Sequence, residues 1–92
     1  MSLTLDDKQL LRSLSIMMVK DPKFARQLFI KFQGREQGQL SIISPIDKIN
    51  NVMQLVINYD EFANDVDYIV ALKNEINKVK DRDVRDILIS SL

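Results

Sequence analysis

Side chains that hold a proton, a metal or a reactive lone pair near neutral pH are scarce in this chain. It has no histidine and no cysteine, which removes the commonest general base, the strongest nucleophile and the usual zinc ligands. Serines stand at Ser2, Ser13, Ser15, Ser41, Ser44, Ser90 and Ser91, none of them in a G-x-S-x-G elbow or an S-x-x-K motif. Gly34 and Gly38 are the only glycines, too few to build a P-loop or a G-x-G-x-x-G turn. The acidic pairs Asp6/Asp7 and Asp60/Glu61 fall where helices are expected to begin, and there the helix dipole accounts for them. The reading is therefore non-catalytic, with no catalytic, cofactor-binding or metal-binding residue assigned and no cofactor required.

One acidic segment has a shape worth testing. Residues 57–63, INYDEFA, resemble the closing half of an EF-hand calcium loop. Glu61 at the twelfth loop position would put Asn50, Val52 and Gln54 at the first, third and fifth, with Leu55 at the sixth. Calcium needs oxygen ligands at the first three of those places and glycine at the sixth. Val52 cannot ligate and Leu55 does not favour the turn, so the match fails where it would count.

Charge is balanced overall, 13 basic residues against 13 acidic ones, but it is unevenly spread. Residues 1–38 carry Lys8, Arg12, Lys20, Lys23, Arg26, Lys31 and Arg35 against Asp6, Asp7, Asp21 and Glu36, net +3. Residues 39–72 carry Lys48 against Asp47, Asp60, Glu61, Asp65 and Asp67, net −4. Lys20, Lys23, Arg26, Lys31 and Arg35 form a basic stripe centred on the expected second helix, a candidate set of phosphate contacts. No aromatic is expected among them and no helix-turn-helix pattern is present, so nucleic acid is the secondary reading.

The elements that must position these groups are helical. Thr4 with Asp6 and Asp7 opens a first helix over residues 5–19, with Leu10, Leu11, Leu14, Met17 and Met18 on one face. Asp21-Pro22 ends it and starts a second, which buries Phe24, Ala25, Leu28, Phe29 and Phe32 and stops at Gly34 in a left-handed C-cap. Ser44-Pro45 begins another, with Ile46, Ile49, Val52, Met53, Val56 and Ile57 on one side. The longest runs over residues 58–80, capped by Asn58 or Asp60, with Phe62, Val66, Ile69, Leu72, Ile76 and Val79 spaced by threes and fours. Asp81 and Asp83 restart a short terminal helix carrying Val84, Ile87, Leu88 and Leu92. The expected fold is an all-α bundle of four to five helices forming one domain over residues 1–92. The fallback is an α+β fold with a small hairpin pairing residues 40–43 with 53–58.

Ninety-two residues at 46% hydrophobic can build one core. No run approaches the roughly 18 apolar residues of a membrane span, and no signal-peptide pattern opens the chain, so a cytoplasmic protein without membrane contact is expected. Apolar residues nevertheless recur off the main faces, at Ile16, Val19, Ile30, Leu55, Val66, Val70 and Ala71. This surplus points to a small adaptor, inhibitor or assembly subunit whose partner is a protein, a second copy in a homo-oligomer being one candidate. The candidate surface is Ile16 and Val19 on the first helix, with Leu72, Ile76, Val79, Ile87 and Leu88 further on.

Overall fold

Thr4 opens the structure as a reciprocal cap. Its hydroxyl accepts from the Asp7 backbone N–H at 3.1 Å while its own N–H donates to the Asp7 carboxylate at 3.1 Å, satisfying two free donors of the first turn. In the computed structural model, which describes residues 3–34, 44–62 and 64–92, helix α1 then runs Leu5–Lys20. Asp21 caps α2, Pro22–Gln33, through its carboxylate and the Phe24 N–H at 3.2 Å. The next elements are α3, Ser44–Asp47, and α4, Asn50–Ile57. A single 3-10 turn, Tyr59–Glu61, leads to α5, Asp65–Asn77, and α6, Arg82–Ser90. Six α-helices and no strand are found among the described residues, so the all-α bundle is the fold.

Five of the helices pack in a closed sequence, and the short α3 lies against α1. The contacts run from α1 to α2, α2 to α4, α4 to α5, α5 to α6, and α6 back to α1, so the helices close a ring around one core. That core holds Leu11, Leu14, Met18, Ala25, Phe29, Ile46, Ile49, Val52, Val56, Tyr68, Leu72, Ile76, Val84 and Leu88, all buried. The Cα radius of gyration is 12.5 Å, close to the roughly 12 Å of a well-packed chain this long.

Two buried hydroxyls close the ring at helix ends, where carbonyls lack partners. The Met18 carbonyl would normally receive the N–H four residues on, but that residue is Pro22, which has none. The Tyr68 hydroxyl donates to it instead at 2.7 Å, tying α5 to the end of α1. At the end of α6, the Leu92 N–H turns to the Ile89 carbonyl rather than to Leu88. The Ser15 hydroxyl donates to the Leu88 carbonyl at 2.7 Å, tying α1 to α6.

The structure departs from the sequence expectations at definite places. The helix expected over 58–80 is divided. Neither Asn58 nor Asp60 makes a side-chain cap, whereas Asn64 accepts from the Asp67 N–H at 2.8 Å and donates to the Asp67 carboxylate at 2.9 Å. Phe62 is extended, at φ −87° and ψ 139°, and its ring lies edge-on to Tyr68 with centroids 5.7 Å apart. The helix begun at Ser44 is broken after Asp47, where the Lys48 and Ile49 N–H groups bond three residues back and Ile49 turns into the core. Residues 53–57 are helical, which removes the second strand of the fallback hairpin; its first, 40–43, lies outside the described residues. Gly34 has φ −80° and ψ −2°, so α2 ends without the left-handed residue expected there.

Candidate interaction surfaces

The seven residues of the expected partner surface separate into two groups. Leu72, Ile76 and Leu88 are 0% exposed and Val79 is 4% exposed, so these four are core. They lie on the seam where α5 meets α4 and α6, and they form no outer face. Ile87 and Val19 are half-buried against the core, while Ile16 is exposed. Sequence periodicity located the apolar face of α5 correctly but could not say that other helices cover it.

Other exposed apolar side chains lie outside the expected surface. Val66 is 71% and Val70 55% exposed, one turn apart on the side of α5 away from Tyr68, Leu72 and Ile76. With half-buried Ile69 and the side of Asp65 they line an open hollow of about 260 Å³. Asp65 and Asp67 stand in the first turn of α5 on different sides of the helix, and the exposed Lys73 follows one turn beyond Ile69. Among the described residues no acid pairs with Lys73. Ile30 and Phe24 on α2 and Leu5 on α1 are also exposed.

The basic stripe is partly assembled. Lys20, Lys23 and Lys31 are exposed, and Lys23, Gln27 and Lys31 succeed one another at four-residue spacing on the outer side of α2. Arg26 is turned aside into an ion pair with Asp60, and the two line a hollow with Lys23, Gln27 and Ile30. Arg35 lies outside the described residues. Phe24, expected inside, is 49% exposed, because the inner side of α2 is centred on Ala25 and Phe29 and Phe24 falls on its flank. An exposed aromatic ring is therefore carried on the same helix as Lys23 and Lys31.

A concavity of about 530 Å³ lies between the α3–α4 junction and the α5–α6 turn. Lys48 and Asp81 pair across it at 2.8 Å, and the hydrogen bond from Lys48, with a second from the Val84 N–H, holds the Asp81 carboxyl below its usual range. Lys78 pairs with Glu75 at 3.1 Å. Asp81 also caps α6. At the start of α5, the Tyr59 hydroxyl donates to Asp65 at 2.7 Å, and this bond raises the phenol above its ordinary value.

The calcium-loop resemblance does not survive the geometry. Asn50, Val52, Gln54 and Leu55 lie within α4, where a loop cannot wrap an ion. Among the described residues no group of three acidic side chains is placed to hold a metal, and no helix is long and apolar enough to cross a membrane. No family model, curated protein or solved structure matches the chain.

Proposed function

We propose that this is a small non-catalytic interaction protein of the cytoplasm, an adaptor, inhibitor or assembly subunit, that docks a protein partner on the outer face of α5. The observation that carries the reading is the exposure of Val66 and Val70 one turn apart beside Ile69. Valine is a poor choice for a solvated helix surface, since its χ1 restriction lowers helix propensity and its exposure gains nothing. Neighbouring apolar side chains left uncovered on a helix are what an amphipathic contact needs.

A photo-crosslinking side chain at Val66 tests this in the native cell, with the same side chain at exposed Asp83 as control. The reading expects a discrete protein adduct from position 66 and none from position 83. No adduct from position 66, or equal labelling from both, would overturn it.

Exposed Phe24 on the helix that carries exposed Lys23 and Lys31 favours a second reading, single-stranded nucleic acid on α2, because stacking and phosphate contacts then come from one helix. It requires salt-dependent binding of an oligonucleotide, with the log–log slope reduced by about two in Lys23→Gln/Lys31→Gln. No binding at low salt would dismiss it.

A further inference from the structure

Of the three cations on α2, one is already engaged. Arg26 is held by Asp60 of the 3-10 turn. Lys23 and Lys31 are exposed, and among the described residues neither pairs with an acid. α2 itself carries no acidic residue. The Arg26–Asp60 pair lies at the surface, its side chains 37% and 60% exposed, and with Lys23, Gln27 and Ile30 it lines a hollow of about 450 Å³. An anion entering that hollow meets one uncommitted ammonium and one guanidinium that already holds a carboxylate from another part of the chain.

An ion pair so exposed contributes little to stability, because water screens it and two side chains must be held still to make it. It is correspondingly easy to exchange. A guanidinium takes a phosphate in the same forked geometry as a carboxylate, so the two compete for one place. Lys23 borders that place, and Lys31 follows eight residues on, about 12 Å along the helix axis. That separation suits a chain of phosphates better than one compact anion.

We propose that Asp60 occupies, in the free protein, the place on Arg26 that a backbone phosphate of single-stranded nucleic acid takes in the complex. The proposal rests on the second reading above, nucleic acid on α2. Binding then exchanges one partner of Arg26 for another, with Lys23 and Lys31 holding the strand on either side. Asp60 is an autoinhibitory contact that sets how tightly the strand is held, and Arg26 is one of its phosphate contacts.

The test is fluorescence anisotropy of a labelled oligodeoxythymidine with the full chain, over roughly 20 to 200 mM salt. Asp60→Asn keeps the shape of the side chain and removes the competitor. It should bind about fivefold more tightly than the parent, the most that an exposed pair withholds. Glu61→Gln is the control for charge alone, since Glu61 is exposed, adjacent and in no ion pair among the described residues, and its gain should be smaller. Arg26→Gln should bind more weakly, with a log–log salt slope shallower by about one, as the loss of one phosphate contact requires. Asp60→Asn added to Arg26→Gln should gain no more than Glu61→Gln does. Asp60 makes no side-chain cap, so the variants should keep the helical circular dichroism and melting curve of the parent, which checks that only the site has changed.

A salt slope unmoved by Arg26→Gln overturns the proposal, because the guanidinium then touches no phosphate. So does an Asp60→Asn gain no larger than that of Glu61→Gln. Oligoglutamate is the second arm: if it gains from Asp60→Asn and the strand does not, the hollow serves an acidic protein segment and the proposal fails. Failure here is distinct from failure of the reading beneath it. A strand whose slope responds to Lys23→Gln/Lys31→Gln but not to Arg26→Gln loses only the exchange, whereas no binding by parent or Asp60→Asn at low salt loses nucleic acid on α2 altogether.

Discussion

Removing a single oxygen atom should show how much the ring depends on its buried hydroxyl ties. Tyr68→Phe keeps the aromatic ring, its edge-on contact with Tyr59 at 4.7 Å between centroids and its contact with Phe62, and deletes only the hydroxyl. The Met18 carbonyl then has no donor, since Pro22 offers no N–H and the Asp21 N–H is already bonded to Met17 at 2.9 Å. Leaving a buried acceptor unsatisfied costs about 1–3 kcal/mol, a large share of the roughly 5–14 kcal/mol available to a chain this long. The melting midpoint should fall by roughly 5–20 °C. In urea the midpoint should fall with no change in slope, because the surface exposed on unfolding stays the same. The assay is paired thermal and urea unfolding of parent and variant followed by far-ultraviolet circular dichroism. A variant within about 2 °C of the parent would refute the reasoning, since it would mean that water reaches the end of α1 and replaces the phenol.

Ile76→Glu places a carboxylate at a position 0% exposed, amid Leu72 and Val79, and should cost more than about 3 kcal/mol; urea unfolding that leaves stability unchanged would contradict the core assignment. Asn64→Ala removes the α5 cap and its bond with Asp67, so it should cost about 1 kcal/mol and speed hydrogen exchange at the Asp67 amide. Alkaline pH should destabilise the fold. The hydrogen bond to Asp65 raises the Tyr59 phenol and burial raises that of Tyr68, each from an ordinary 10.0. Both tyrosines thus keep their protons in the folded chain after the unfolded chain has lost them. Their contribution is complete below pH 10.0 and declines above it, as urea midpoints measured across that pH should record.

What could be read from the sequence was whatever a short stretch decides for itself. The Thr4 and Asp21-Pro22 starts, the restart at Asp81 and the helical character of residues 53–57 all follow from caps and spacing within one or two turns. The start of α5 was missed because Asn58, Asp60 and Asn64 are all competent caps and the choice among them is made at a distance. Only a start at Asn64 leaves Phe62 extended, free to lay its ring against Tyr68. Asn64 with Asp67 three residues on was the available signal, a reciprocal cap of the same form as Thr4 with Asp7.

The misplaced partner surface has a related cause, and it bears on where contact with another molecule should be sought. Periodicity shows that Leu72, Ile76 and Val79 belong together, but not that α4 and α6 cover them, because the coverage is made by residues on other helices. Val79 reaches the core only because α5 ends at Asn77, where the Lys78 and Val79 N–H groups bond three residues back and redirect the chain. Once the inner face of α5 is used by its neighbours in the ring, the valines on its other face stay exposed among the described residues. The described α-helix outside the ring, α3, packs on α1. Their burial, if it happens, has to come from contact beyond those helices, and this is why the association of the chain is the property to measure on this face.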